Sequence, residues 1–366
     1  MKTKAILLAL SLISLGANAQ GLKDAVGKYF LIGAAINVNQ SNGNDKPAAD
    51  VIKKHFNSIV AENCMKGECI QPEEGKFFWK DADNLVKFGV DNHMTIIGHC
   101  LVWHSQAPHW MFTDKNGKYV TRDELIKRMT THIRTLVSHY KGRVHGWDVV
   151  NEAFNDDGTM RQSLYYKIIG PDFIEIAFKE AHKADPKAEL YYNDYSMAKQ
   201  GKRDSVCALV KRLKAHGCRI DAVGMQSHNG MDYPDLKEYE KSIDAFAACG
   251  VKVMMTELDI NVLPSPEHFG GANVSDRFAY NKSMNPYSNG LPDSVAQKVT
   301  QRYLDFFKIY YRHRSQISRV TLWGVSDRGS WLNNWPIPGR TNYPLLFDRQ
   351  YQAKPVVKDI IDLFNK

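Results

Sequence analysis

The sequence predicts an α/β protein with a (β/α)8 (TIM) barrel, in which parallel strands alternate with helices. Three observations lead to this prediction. Short apolar runs alternate with longer amphipathic stretches after residue 20. The run from Val144 to Val150 has the composition of a strand that is covered on both faces. Polar side chains follow many of the apolar runs, at the carboxyl ends of the predicted strands, where the functional residues of barrel proteins lie.

Eight strand–helix units are predicted in order along the chain. The strands are Tyr29–Asn37, Asn57–Asn63, Met94–Trp103, the strand within Val144–Phe154, Glu189–Tyr195, Ala222–His228, Val251–Ile260 and Val320–Val325. The helices are Ala48–Phe56, Lys80–Asn92, Arg122–Tyr140, Asp172–Ala184, Gly201–His216, Leu236–Cys249, Ser294–Arg314 and Lys354–Phe364. Thr121 is a predicted N-cap, and Gly217 and Gly250 are predicted to end the helices before them. An open doubly wound sheet is the alternative, but the chain has no glycine-rich phosphate loop to support it.

The length of 366 residues, 43% of them hydrophobic, fits one large domain or two small ones. No linker or repeat array divides the chain, so we expect one domain over residues 20–366. Residues 1–19 are a predicted signal peptide. Lys2 and Lys4 precede an apolar run over Ala5–Leu15, and Ala17–Ala19 forms a small-x-small cleavage site. Cleavage after Ala19 would give a secreted or periplasmic protein. No later run is long and apolar enough for a membrane helix, so no membrane association is expected.

The formal net charge of +8 falls to +6 when Lys2 and Lys4 leave with the signal peptide. The positive residues are spread along helix-like segments, which is typical of a solvated surface. Attraction to an acidic polymer is the alternative reading of this charge. The chain has no motif for binding nucleic acid, and we expect a monomer.

Six cysteines are present, at positions 64, 69, 100, 207, 218 and 249. A domain of this size does not need disulfides for stability. If a local disulfide forms, the short spacing favours Cys64 and Cys69, whereas Cys207 and Cys249 fit small core positions on helices. No CxxC pair or Cys/His cluster indicates zinc, and we expect no metal and no cofactor.

Two predicted strands end in glutamates, and these residues are the strongest functional signal. Glu152 follows Asn151 where one apolar run stops, and Glu257 and Asp259 lie at the exit of Val251–Ile260. Hydrolysis of a glycosidic bond typically requires two carboxyl groups that face each other. Other strand exits carry amides, carboxylates, histidines and tryptophans, which suit a sugar chain because aromatic faces stack on pyranose rings.

Three motifs carry a resemblance to a known protein family. The resemblance covers nearly all of the sequence after residue 20. The motifs are GHCLVWHSQAP (Gly98–Pro108), WDVVNEAF (Trp147–Phe154) and GVKVMMTELDI (Gly250–Ile260). The chain resembles the endo-1,4-β-xylanases of glycoside hydrolase family 10. The resemblance implies endo-acting, retaining hydrolysis of β-1,4-xylosidic bonds in xylan and xylo-oligosaccharides. It also implies that Glu152 is the acid/base and Glu257 the nucleophile.

The resemblance further implies roles for the residues around the two glutamates. We expect Asp259 to fix His228 and His228 to bond Glu257, while Asn151 donates to the 2-hydroxyl of the cleaved sugar. The residues implied on the glycone side are Glu62, Asn63, Lys66 and Gln106. Those implied around the cleavage point are His99, Trp103, Gln226 and Trp323, with Trp331 as a stacking floor and Tyr195 on the leaving-group side. His104, Asn193 and Asp194 fit structural roles at least as well as substrate contact.

Two features depart from the commonest family pattern or extend it. Cys64 and Gly67 replace the Glu and Trp that are more usual in the ENEMKW motif, which puts the packing behind the glycone side in question. A long segment over Leu263–Asp293, rich in Pro, Gly, Ser and Asn, is predicted as a loop on the active-site face.

Three other functions stay open from the sequence. The same machinery could act on another β-1,4-glycan such as glucan, although Trp323 and Trp331 would crowd a 6-hydroxymethyl group and favour xylose. A non-catalytic carbohydrate-binding barrel is a second alternative, which the retention of both glutamates disfavours. A metal-dependent hydrolase using His99, His104 and His228 is a third, without a clear set of carboxylate ligands.

Overall fold

The structure is a computed structural model that describes residues 20–266 and 275–366, so the predicted signal peptide lies outside the described residues. Its strands are β1 (Leu31–Ile36), β2 (Ser58–Ala61), β3 (Thr95–Trp103), β4 (Gly146–Asn151), β5 (Glu189–Asp194), β6 (Ala222–Met225), β7 (His228–Gly230), β8 (Lys252–Asn261) and β9 (Ile317–Leu322). Neighbouring strands pair in parallel from β1 to β6, β6 pairs with β8, and β9 pairs with both β8 and β1. The sheet is therefore a closed barrel, and the predicted (β/α)8 fold is confirmed.

Twelve α-helices are found in the described residues and surround this barrel. They are α1 (Leu22–Val26), α2 (Val38–Ser41), α3 (Lys46–His55), α4 (Gly67–Ile70), α5 (Lys80–Asp91), α6 (Arg122–His139), α7 (Leu164–Ile169), α8 (Phe173–Ala184), α9 (Gln200–Ala215), α10 (Leu236–Ala248), α11 (Asp293–Arg312) and α12 (Pro355–Phe364). The eight predicted helices correspond to α3, α5, α6 and α8 to α12, each within a few residues of the predicted bounds.

The ends of the long helices follow the local signals in the sequence. The Thr121 hydroxyl accepts a hydrogen bond of 3.3 Å from the backbone N–H of Glu124, which satisfies one of the free donors at the start of α6. Gly217 and Gly250 follow α9 and α10 with φ angles of 71° and 74°, a left-handed conformation that glycine adopts without a steric penalty. The predicted cap and both predicted helix ends are confirmed.

The core has two layers, one between the strands and the helices and a smaller one inside the barrel. The inner layer consists of Ala35, Val60, Ile97, Tyr191, Ala222, Met254 and Trp323. In the outer layer, a Cβ atom on Gly98 would lie 2.1 Å from the ring of Trp147, so only glycine allows β3 and β4 to pack at this point. The interior is therefore filled with side chains, and open space for a ligand lies at the ends of the strands.

The predicted strand Ala222–His228 is wrong in one respect, because it is interrupted. β6 stops at Met225, and Ser227 has a positive φ of 65°. The chain then forms the short strand β7, which pairs with Asp259–Asn261 of β8. The break turns His228 toward the mouth of the barrel, beside Glu257 and Asp259.

The local disulfide favoured by the spacing of Cys64 and Cys69 is also wrong. Both cysteines are free; Cys64 is buried and Cys69 is exposed. The reason is the short helix α4, which the sequence analysis missed. It begins at Gly67 and places Cys69 on the surface, while Cys64 packs into the core.

Two properties bear on the classes of function considered from the sequence. Within residues 20–266 and 275–366, no helix is long and apolar enough to cross a membrane. In the same part of the chain, no three or more His, Cys, Asp and Glu side chains are grouped so that they could hold a metal ion.

Candidate active site

A cleft of about 1130 Å³ lies at the carboxyl ends of the strands, as expected for a barrel of this kind. Every site residue predicted from the sequence lines it. They are Glu62, Asn63, Lys66, His99, Trp103, Gln106, Asn151, Glu152, Tyr195, Gln226, His228, Glu257, Asp259, Trp323 and Trp331. The segment after β8 also contributes, through Ser265, Ser275 and Arg277. Its residues 267–274 lie outside the described part of the chain.

Glu257 lies within β8 and is buried, and each of its carboxylate oxygens has a fixed donor. The side-chain amide of Asn193 donates to Oε1 at 2.8 Å, and His228 Nε2 donates to Oε2 at 3.1 Å. Thr256 Oγ1 donates to Asn193 Oδ1 at 2.6 Å, which orients the amide so that its nitrogen faces Glu257. The carboxylate of Glu257 is thus held in one orientation.

The electrostatic surroundings keep Glu257 ionised. Burial opposes ionisation, but the hydrogen bond from His228 and the charges of His99 and Lys66 outweigh it and lower the pKa of Glu257. His228 also contacts Asp259, whose Oδ2 lies 3.0 Å from His228 Nδ1. Both ring nitrogens of His228 therefore face carboxylates, an arrangement that requires two N–H donors and hence the imidazolium form.

The pKa of His228 agrees with this geometry. Burial would lower it, but the neighbouring Asp259 and Glu257 carboxylates dominate and raise the pKa of His228 to about 10. Asp259 Oδ2 accepts a second hydrogen bond, of 2.9 Å, from the indole Nε1 of Trp331. One carboxylate thus fixes both the histidine beside Glu257 and the tryptophan at the edge of the cleft.

Glu152 has different surroundings. It follows the last residue of β4 and has a positive φ of 59°, which is costly for a residue with a side chain. Its Oε2 accepts a hydrogen bond of 2.8 Å from the indole of Trp103, and its Oε1 accepts one of 2.8 Å from the amide of Gln226. Both donors are neutral. His104 Nδ1 lies 3.9 Å from Oε2.

Amide groups connect the two glutamates. Asn151 Oδ1 accepts from Asn193 Nδ2 at 3.0 Å and from Gln226 Nε2 at 3.3 Å. Because Asn193 also bonds Glu257 and Gln226 also bonds Glu152, a single chain of hydrogen bonds spans the floor of the cleft. The oxygen of Asn151 is used within this chain, so its NH2 group is the part of the side chain that can donate to a ligand.

A second polar cluster lies on the side of the cleft formed by the residues after β2. Lys66 Nζ contacts Asn63 Oδ1 at 3.0 Å and lies 4.9 Å from the ring centre of Trp103 and 5.8 Å from that of Trp323. Burial raises the pKa of Glu62, and the charge of Lys66 opposes this. On the barrel side, His99 Nδ1 donates to Asp148 at 2.9 Å, which fixes the ring at the floor of the cleft.

Sequence reasoning missed several residues of this site. Asn193 was assigned no specific contact and Thr256 was not considered, although they orient Glu257. Trp335 stacks on Trp331 with ring centres 4.5 Å apart, and both rings line the cleft. The signals were available in part, because Asn193 lies beside the last residue of the buried strand β5, at the same rim of the barrel as Glu152 and Glu257. Trp335 lies in an irregular segment, where no periodicity indicates which way a side chain points.

Gly67 has a structural explanation that the sequence did not provide. A Cβ atom at this position would lie 2.9 Å from Pro108 Cδ and 3.4 Å from the carbonyl oxygen of Gln106. A larger side chain would therefore require the segment after β3, which contributes Gln106 to the cleft, to move.

A closed barrel with two buried glutamates in the cleft at its mouth, one bonded by an imidazolium and one by neutral donors, has the arrangement of a glycosidase of the barrel class. Comparison with known proteins makes this specific. The sequence profile of glycosyl hydrolase family 10 matches residues 21–363. The chain belongs to this family.

Individual relatives agree over nearly the whole length. The chain is 60% identical to an endo-1,4-beta-xylanase A of Xylanibacter ruminicola, over 98% of this chain and 97% of that protein. It is 38% identical to an endo-1,4-beta-xylanase of Geobacillus stearothermophilus, over 93% of this chain and 98% of that protein. The structure superposes on a family 10 endoxylanase from a sugarcane soil metagenome with a TM-score of 0.90 and 46% identity, covering 94% of this chain and 100% of that one.

Proposed function

We propose that the protein cleaves internal β-1,4-xylosidic bonds in xylan and xylo-oligosaccharides with retention of the anomeric configuration. Glu257 is the nucleophile and Glu152 the acid/base. The observation that supports this assignment best is the difference in their hydrogen-bond donors. Glu257 is bonded by a protonated histidine and an amide, which favour a permanent carboxylate, whereas Glu152 is bonded by neutral groups.

The first step forms a covalent glycosyl-enzyme. A carboxylate oxygen of Glu257 attacks the anomeric carbon while Glu152 gives its proton to the departing glycosidic oxygen. In the second step Glu152, now ionised, takes a proton from water, and the resulting nucleophile displaces Glu257 from the same carbon. Two inversions give net retention. The NH2 group of Asn151 donates to the 2-hydroxyl of the sugar, an interaction that strengthens at the transition state.

The aromatic lining supports xylose as the sugar. Trp323 and Trp331 flank the floor of the cleft on the side of β9, and Trp331 is held there by Asp259. A sugar with a 6-hydroxymethyl group has to fit that bulky substituent beside these rings, whereas xylose has none. Glu62, Asn63, Lys66 and Gln106 bind the glycone part of the chain, His99, Trp103 and Gln226 surround the cleaved sugar, and Tyr195 stacks on the leaving-group side.

The test is product release from β-1,4-xylan and from cello-oligosaccharides, with the anomer followed by NMR in the first minutes. We expect xylo-oligosaccharides with β-anomeric ends from the wild type and none from Glu257→Ala. Glu189→Gln, which changes an exposed carboxylate at the opposite end of β5, is the control and should keep full activity. Early α-anomer would contradict the two-step mechanism. Product release from cello-oligosaccharides but not from xylan would show that the substrate is a glucan.

We further propose that the chain is exported and acts as a monomer. The support for export is the run of Lys2, Lys4 and the apolar Ala5–Leu15 before Ala17–Ala19. The support for a monomer is that one chain supplies every residue of the proposed site. Sequencing the amino terminus of protein recovered outside the cytoplasm should find Gln20 first, and light scattering should give the mass of one chain. A retained leader or a dimer mass would refute the respective proposal.

A further inference from the structure

A buried ion pair lies directly beneath the leaving-group side of the cleft. Asp194 is the last residue of β5, and Lys202 lies in the first turn of α9. Both side chains are fully buried, and Lys202 Nζ is 2.9 Å from Asp194 Oδ1. Asp156, which is partly exposed, lies 3.5 Å from the same nitrogen. Burial of two charged groups is costly unless further hydrogen bonds compensate for the lost hydration. The other contacts of Asp194 and Lys202 therefore indicate what this ion pair does.

Asp194 bonds the backbone that follows Glu152. Its Oδ2 accepts from the backbone N–H of Phe154 at 3.4 Å and from the hydroxyl of Tyr192 at 2.5 Å. The same hydroxyl accepts from the backbone N–H of Ala153 at 3.0 Å. The two peptide groups after Glu152 are thus tied, directly or through one hydroxyl, to a single carboxylate.

The ion pair also supports Tyr195. Asp194 Oδ1 accepts from the backbone N–H of Tyr195 at 2.9 Å, and Lys202 Nζ lies 3.7 Å from the centre of the tyrosine ring. Arg161 completes the arrangement, because it donates to the Tyr195 hydroxyl at 2.7 Å and to the carbonyl oxygen of Glu152 at 2.9 Å. Burial raises the pKa of Asp194, and the charge of Lys202 opposes this.

The backbone of Glu152 explains why such support is needed. A glutamate with a φ of 59° keeps that conformation only when its surroundings over-determine it. The carbonyl of Glu152 and the N–H groups of Ala153 and Phe154 each have one of the partners described above. Loss of the central charge pair would free the backbone to leave the left-handed conformation and would carry the Glu152 carboxyl group away from the glycosidic oxygen.

We propose that Lys202 is a positioning residue for leaving-group departure, acting through Asp194 on Glu152 and both directly and through Asp194 on Tyr195. This inference rests on the proposed function and goes beyond it, because it assigns a role to a side chain that lines no part of the cleft. It implies that Lys202 matters for bonds whose leaving group needs a proton and a sugar subsite. It matters little for a leaving group that departs unaided.

The experiment compares two substrates in the full-length mature enzyme. Xylotetraose requires protonation of its leaving group and occupancy of the Tyr195 side, whereas 2,4-dinitrophenyl β-xylobioside requires neither. We expect Lys202→Met to lower kcat/KM for xylotetraose by about 10- to 100-fold, in the range of a displaced catalytic group. The kcat/KM for the aryl substrate should stay within about twofold of wild type.

A milder variant covers the case in which Lys202→Met does not fold. Tyr192→Phe removes the hydroxyl between Asp194 and Ala153 but leaves the ion pair in place, and it should show the same selective loss at a smaller size. Tyr140→Phe is the matched control, because its buried hydroxyl donates at 3.1 Å to Asp83 in the outer layer of the barrel. It should affect neither substrate.

The outcomes separate this inference from the proposed function. A selective loss on xylotetraose by either variant supports the positioning role. An equal fractional loss on both substrates, or no loss on either, overturns it and leaves Lys202 as a residue of structural importance alone. Failure of the wild type to cleave xylotetraose would instead refute the proposed function, whatever the variants do.

Discussion

Glu152 and Glu257 are the same residue type in one cleft, but their surroundings differ in charge and in backbone. Glu257 lies within strand β8 and is bonded by the imidazolium of His228 and the amide of Asn193. Glu152 has a positive φ and is bonded by the indole of Trp103 and the amide of Gln226. A cation beside Glu257 favours its ionised form, whereas Glu152 receives its hydrogen bonds from neutral groups. Under the proposed mechanism, the different roles of the two glutamates follow from their hydrogen-bond partners rather than from their residue type.

The largest effect should follow from removing the proposed proton donor, Glu152. Glu152→Ala should lower kcat/KM for xylo-oligosaccharides by about 10²- to 10⁴-fold, the usual contribution of general acid catalysis. For 2,4-dinitrophenyl β-xylobioside, kcat/KM should change little, while kcat falls because no base activates water in the second step. Steady-state and burst kinetics on both substrates measure these effects. A large loss of kcat/KM on the aryl substrate would contradict the assignment of Glu152 as the acid.

A smaller effect should follow from removing the cation beside Glu257. Glu257 must be ionised to attack, and its hydrogen bond with His228 helps to lower its pKa. In His228→Asn that pKa should rise, so the acidic limb of the kcat/KM profile should move to higher pH by about one unit. This is the shift expected when a charged hydrogen bond of about 1.5 kcal/mol is lost.

The pH profile of kcat/KM from about pH 3 to 8 measures this shift. His216→Asn is a suitable control, because this exposed histidine lies on the outside of the barrel beside Glu175 and its removal should leave the limb in place. An acidic limb that does not move in His228→Asn would show that His228 does not control the ionisation of Glu257.

The smallest effect is expected from one neutral donor to Glu152. Trp103→Phe keeps an aromatic ring but removes the N–H that donates to Glu152 Oε2, and should lower kcat/KM for xylotetraose by about tenfold or less. The acidic limb set by Glu257 should not move. Trp110→Phe is the matched control, because it loses an indole N–H that donates to a carbonyl oxygen outside the cleft. A shifted acidic limb in Trp103→Phe would show that the two glutamates are not independently controlled.

The barrel and both glutamates could be predicted because they depend on local patterns. An apolar run that stops at a polar pair indicates the end of a buried strand, as at Asn151 and Glu152 after β4. The short helices α1, α2, α4 and α7 were missed because four to six residues are too few to show a helical period. The wrong Cys64–Cys69 pairing has the same origin, since it required knowing that α4 separates the two side chains.

The contacts that orient the site could not be predicted, because they join residues far apart in the sequence. Asn193 bonds Glu257 across 64 positions, and Trp331 bonds Asp259 across 72. Lys202 looks like any helical lysine in the sequence. Its full burial follows only from the way α9 packs over the end of β5. Pattern analysis therefore identifies groups that touch substrate more readily than groups that hold them.

The two hydrogen bonds that Asp259 makes, to His228 and to Trp331, affect how this enzyme can evolve. Because one oxygen fixes both His228 and Trp331, replacements at positions 259 and 331 should be strongly epistatic. A mutation that replaces Trp331 also disturbs Asp259, the carboxylate that fixes the charged His228 beside Glu257. Ser265 and Arg277, through which the segment after β8 reaches the cleft, take no part in these two hydrogen bonds of Asp259. Libraries aimed at new substrates should therefore diversify that segment and keep position 259 constant.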